Sequence, residues 1–142
     1  MSTKRFALTV FVAFVVAQAF AIIIHGFVLG ADYKPFYGTL LRPMEEKSAM
    51  VLLLPIAHLA FTFALVWVYA RLTLSGSPLR QGLQLGLAAW LLGPVPMYLL
   101  WSAEQPWPGG LLPKQLILEL VAMLVLGVVI AALGKKTTGP AA

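Results

Sequence analysis

FALTVFVAFVVAQAFAIIIHGFVLG, Phe6 to Gly30, contains no Asp, Glu, Lys or Arg. A helix that crosses the hydrocarbon of a bilayer needs about 20 mostly apolar residues. This run is long enough, so it decides the class of solvent the protein folds in. The chain repeats the pattern in three further runs, about 49–70, 81–101 and 111–133. Each is separated from the next by polar or turn-forming residues, SGSP (Ser75–Pro78) between the second and third and QPWPGG (Gln105–Gly110) between the third and fourth. The reading is an all-α polytopic membrane protein: one domain, 1–142, folded as a four-transmembrane-helix bundle.

Composition agrees. Hydrophobic residues make up 61% of the chain and charged residues 11%, and the mean hydropathy is +0.91. A soluble domain carries about a quarter charged residues, so this chain lacks the polar surface that water demands. It has no cysteine, which removes disulfides, thiolate metal sites and thiol redox chemistry together. Its net charge of +5 comes from basic residues at the ends of apolar runs. They read as topology signals, and a nucleic-acid partner is not expected.

The N-terminal Lys4 and Arg5, followed by apolar residues and AQAFA, have the outline of a secretory signal. The apolar run continues past AQAFA to Ile24, long for a signal core, so a retained first span is expected. Orientation follows from charge. One side of the bundle receives Lys4, Arg5, Arg71, Arg80, Lys135 and Lys136 and no acid. The other holds Asp32, Lys34, Arg42, Glu45, Glu46, Lys47, Glu104 and Lys114, which nearly cancel. The positive-inside rule then places both termini in the cytoplasm of a cell whose inner (plasma) membrane holds the protein. Tyr33, Phe36, Tyr37, Trp101 and Trp107 form an expected aromatic belt at the outer interface, and Trp67 and Tyr69 lie near the inner one. The outer connector, GADYKPFYGTLLRPMEEKS, reads as an interfacial turn or short helix. The tail GKKTTGPAA reads as loose.

Three ionisable groups other than tyrosine stand well inside the spans. His25 lies about 7 Å below the outer end of the first span, His58 about nine residues below that of the second, and Glu119 about eight below that of the fourth. Their depths match. Each also sits on a polar stripe: Gln18 with His25, Pro55, His58, Thr62 and Tyr69 together, and Gln115 with Glu119. Such groups cost several kcal/mol facing lipid, so they are expected to face the bundle.

Three chemistries fit that constellation. It can be a hydrogen-bonded polar core that includes Gln18, Thr62, Tyr69 and Gln115. It can be a ligand site in which His25 and His58 hold a haem, or His25, His58 and Glu119 hold a divalent metal. It can be a proton relay through Glu119, as in a small proton-coupled transporter. Catalysis is not expected: no nucleophile–base pair lies deep in a span, and HExxH, CxxC and a Gly-rich phosphate loop are absent. The loops are too short for a catalytic or receptor domain. The expected function is therefore a non-catalytic accessory or assembly subunit of a larger membrane complex, one that carries electrons or pigments, with the bilayer and other membrane subunits as partners.

Two backbone features complete the reading. GFVLG (Gly26–Gly30) and GLQLG (Gly82–Gly86) have the spacing that permits close helix contact, expected within the bundle rather than between copies. Gly93, Pro94 and Pro96 predict a kink in the third span, because proline supplies no backbone donor. Trp90 is expected to pack.

Overall fold

Ser2 opens the first helix. Its hydroxyl accepts from the Arg5 amide at 3.4 Å, satisfying one of the donors a helix N-terminus leaves unpaired. From there the chain is helical almost throughout. The computed structural model describes residues 1–43 and 47–134, with the backbone alone for 47–50. Glu45 and Glu46 of the connector, and Lys135 and Lys136 of the tail, lie outside the described residues.

The first span is α1, Thr3–Ala21, continued by a π-helical segment, Ile22–Val28. Here hydrogen bonds reach back five residues, as from the Leu29 amide to the Ile24 carbonyl at 2.8 Å. Three consecutive isoleucines crowd the turn before them, and Gly26 lets the backbone widen. A π-segment is rare and often marks a functional site. Its effect is angular. Each α-helical residue advances about 100° around the axis, so one extra residue in a turn swings the following side chains by about that much. His25 sits in the middle of the segment. The chain then forms α2, Gly30–Tyr33, and a 3₁₀ turn, Lys34–Phe36. The connector between the first two spans thus begins as a short helix that folds back over the bundle.

The second span is α3, Lys47–Arg71, with Pro55 inside it. Ser77 caps α4, Pro78–Leu92, by accepting from the Arg80 amide at 3.3 Å. The third span is interrupted at Gly93 and resumes as α5, Pro94–Glu104. Pro94 and Pro96 have no amide hydrogen to return to the preceding turn. The fourth span, α6, runs Leu111–Leu133. Among the described residues, four helical stretches are long and apolar enough to cross a membrane: Thr3–Val28, Val51–Arg71, Pro78–Glu104 and Leu111–Leu133.

Packing is centred on α6, which meets α1, α4 and α5, while α3 lies mainly against α1. Glycine sets the closest contact. Gly82 and Gly86 of α4 face Gly127 of α6, and a Cβ at any of the three would overlap backbone of the opposite helix. The GLQLG motif therefore packs inside the bundle. The GFVLG motif does not: no neighbouring helix comes within 4 Å of a Cβ built at Gly26, because these glycines belong to the π-segment and the turn after it. Two apolar clusters fill the interior. One, toward the Arg71 end, holds Val10, Ala13, Val66, Leu85, Leu126 and Ile130. The other, toward the Trp107 end, holds Ile24, Leu29, Leu111 and Ala122. Most of α3 looks outward, with Val51, Leu52, Leu53, Ile56 and Phe63 all exposed, as lipid contact requires.

Candidate functional site

Glu119 stands eight residues into α6, about 12 Å from its start at 1.5 Å per residue. It shares the inward stripe of Gln115, Ala122, Leu126 and Ile130, spaced three or four apart. One carboxylate oxygen, Oε1, receives two groups. His25 Nε2 lies 3.0 Å away, and the Tyr98 hydroxyl donates at 3.3 Å. The Glu119 side chain is 13% exposed and that of His25 35%. Tyr98 comes from α5 and is buried. Three spans thus meet at one carboxylate.

The other face of His25 is also engaged. Its Nδ1 lies 3.0 Å from the Tyr33 hydroxyl, and Gln115 Nε2 donates to the same oxygen at 2.9 Å. The His25 and Tyr33 rings stack at 5.9 Å, and Trp107 meets Tyr33 edge-on at 6.4 Å. Outside them, Lys114 bonds both oxygens of Asp32 at 2.8 and 3.0 Å, tying α2 to the start of α6. That pair is exposed and adds little energy, but it holds Tyr33 over His25. Burial pushes the Tyr33 phenol above its ordinary value, with the Gln115 bond opposing and the charge of Glu119 adding to the rise. Tyr33 therefore stays protonated at neutral pH.

These bonds have a direction. With His25 neutral, Tyr33 O–H donates to Nδ1 and Nε2–H donates to Glu119. With His25 protonated, both ring nitrogens donate, and the Tyr33 oxygen accepts from His25 and Gln115 together. The ring nitrogens keep both partners in either state, while the Tyr33 O–H loses its acceptor when His25 is protonated.

His58 lies on the far side of Glu119. Its Nδ1 is hydrogen-bonded to Gln18 Oε1, while the buried Thr62 hydroxyl donates to the His58 carbonyl at 2.8 Å. Between His58 and Glu119 is a cavity of about 40 Å³, walled by Ala17, Phe20, Ala122 and Leu126. A space above about 10–15 Å³ with polar partners can hold a water, and this one offers an imidazole and a carboxylate.

Comparison with protein family models, with curated proteins and with solved structures yields no match.

The site geometry groups the expected residues differently from their matched depth. His25 and Glu119 are bonded directly. His58 pairs with Gln18 and reaches Glu119 across the cavity. Among the described residues no three His, Cys, Asp or Glu side chains gather as a metal-ligand group; of His25, His58 and Glu119, the directly bonded pair is His25 and Glu119. Both His25 ring nitrogens have protein partners, Tyr33 and Glu119. Gln115 joins the network through Tyr33. Thr62 belongs to it only through the His58 backbone. Tyr69 does not belong: its hydroxyl donates to Gln81 at 2.8 Å near the Arg71 end. Trp90 does more than pack, donating from Nε1 to the Leu116 carbonyl at 2.9 Å.

Two members were not expected. Tyr33 read as an interfacial belt residue, and only the π-segment and α2 fold it inward. Tyr98 carried a usable signal. It lies at a depth like that of Glu119, and a tyrosine there needs a partner for its hydroxyl.

Proposed function

We propose that this small multi-pass membrane protein handles protons in the half of the bilayer nearer its Trp107 end, as a non-catalytic accessory subunit of a larger membrane complex. The observation that carries this reading is His25, held between the Tyr33 hydroxyl and Glu119 Oε1 at 3.0 Å on each side. An imidazole so placed takes the Tyr33 hydroxyl proton on Nδ1 as Tyr33 is reprotonated from its outer side, and releases the Nε2 proton to Glu119, without the ring moving. Glu119 is then the acceptor, and a water in the adjoining cavity would link it to His58. The charge asymmetry supports an outer position for the Trp107 end, so the relay would load from outside.

The accessory role rests on where the polar path ends. Past Thr62 the interior closes on Val66, Leu85, Leu126 and Ile130, all nearly fully buried. A path that spans half the bilayer needs a partner, or a rearrangement, to pass its proton on. Infrared difference spectroscopy of the protein in liposomes tests the reading. A carboxyl band should vanish in Glu119→Gln and shift in His25→Asn. A Glu119 band indifferent to His25→Asn would refute the relay. Crosslinking in native membranes should capture a fixed set of larger subunits, and a chain recovered only alone would refute the accessory role.

A further inference from the structure

The second and third spans are joined by a short loop yet do not close against each other. Between them lies an apolar groove of about 520 Å³. Phe61, Leu65 and Val68 form its α3 wall, and Leu85, Ala88 and Leu92 its α4 wall. The floor is partly made by small side chains, Ala64 on one helix and Ala89 on the other. Leu72 and Leu74, at the mouth near the loop, continue the apolar lining to the edge of the spans. Gly76 turns this loop with a φ of 98°, a conformation other residues rarely adopt.

Charge marks the mouth. Arg71 ends α3 and Arg80 lies in the first turn of α4, on either side of the loop. Both are exposed. The Arg71 guanidinium lies 3.8 Å over the Trp67 ring, which holds it at the interface. No acidic residue occurs between Glu46 and Glu104 in the sequence, so nothing in this stretch neutralises the pair. The apolar lining runs from Phe61 to Leu72 and Leu74, beside the loop that Arg71 and Arg80 flank, and apolar followed by basic is the order that suits an anionic phospholipid. Basic pockets between spans are a recognised setting for anionic headgroups.

We propose that the α3–α4 groove is a binding site for an anionic phospholipid, its acyl chain between Phe61 and Leu92 and its phosphate between Arg71 and Arg80. Phe61 is the one lining residue this groove shares with the cavity beside Glu119. A bound lipid also explains why an open groove persists between consecutive spans: its acyl chain completes the packing that the two helices do not make.

Native mass spectrometry of the full chain released from mixed phosphatidylglycerol and phosphatidylcholine nanodiscs tests this. Phosphatidylglycerol should be retained preferentially, and each of Arg71→Ala and Arg80→Ala should lower that preference about fivefold. Ala88→Trp, which fills the groove, should displace the bound lipid, whereas Leu99→Trp, on α5 outside the groove, should not. Equal retention of the two lipids would overturn the proposal. So would a lipid-independent dimer broken by Ala88→Trp, since the groove would then hold a second copy of the chain.

Discussion

His25 Nε2 lies 3.0 Å from Glu119 Oε1, and that bond ties the first span to the fourth across ninety-four residues of sequence. In a membrane the hydrophobic effect does not draw helices together. Polar contacts and close packing carry specificity instead. The pair should therefore be energetically coupled. A double-mutant cycle of His25→Ala and Glu119→Gln, followed by unfolding in mixed micelles, should give a coupling of about 0.6–1.7 kcal/mol, the range of interhelical hydrogen bonds in lipid. Strictly additive effects would mean that the contact contributes nothing.

Tyr33 gives a pH signature. Its phenol is raised above the ordinary value of 10.0 chiefly by burial, so the folded protein holds this proton more tightly than the unfolded chain does. The resulting stability is complete below pH 10 and is lost as pH rises from there through the folded value. Tyr33→Phe should remove that part of the alkaline destabilisation. Spectrophotometric titration should also show one late-ionising tyrosine fewer in the variant. A Tyr33 that ionises together with exposed tyrosines would contradict its place beneath Trp107.

The α4–α6 contact should be the least tolerant of added volume. Gly86→Ala or Gly127→Ala places a methyl where the opposite backbone already lies. Overpacking of this kind costs about 1–3 kcal/mol. Gly26→Ala meets nothing closer than 4.0 Å and should change stability by less than about 0.5 kcal/mol. Thermal unfolding in one detergent orders the three variants, and a Gly26→Ala as damaging as Gly86→Ala would place the helix contact wrongly.

The four spans were legible because lipid imposes a length and a polarity that few sequences meet by accident. The fourth is bounded as expected, Leu111–Leu133, since a Gly-Gly pair precedes it and Gly134 follows. The first ends differently, because nothing in a hydropathy pattern announces a π-segment: Ile22–Val28 is as apolar as an α-helix would be. Matched depth brought His25 and Glu119 into view. It did not reveal that His58 would turn to Gln18, since rotation about a helix axis depends on packing against α1. Tyr33 was hidden by its position past the apolar run, where aromatic residues ordinarily anchor at headgroups. Only three-dimensional folding of α2 over α6, with Lys114 on Asp32, brings it back.

Topology is directly testable. Reporter tags at the N-terminus and after Lys136 should both register as cytoplasmic, and a tag near Glu45 should register on the opposite side. The basis is the absence of acids beside Lys4, Arg5, Arg71 and Arg80. A Glu45 tag reached only from the cytoplasm would reverse the orientation, and with it the side from which the proposed relay would load.

The interruption at Gly93 has a consequence for the site. Gly93 adopts φ −112° and ψ −85°, outside the helical range, and Pro94 starts α5 from that new direction. Tyr98 is one turn beyond. Its hydroxyl reaches Glu119 at 3.3 Å because the break resets the rotation of α5 relative to α4. Gly93→Ala with Pro94→Ala would restore two good helix formers and a missing amide donor, favouring one continuous helix. Tyr98 would then turn away from Glu119, and a buried hydroxyl would lose its partner. The double variant should therefore lose about 0.5–1.5 kcal/mol at Tyr98, partly offset by the improved local helix. Tyr98→Phe alone removes the same bond. Combined with the double variant it should cost almost nothing more, because the contact is already gone. A double-mutant cycle in micelles measures this, and full additivity would show that the break at Gly93 does not set the position of Tyr98.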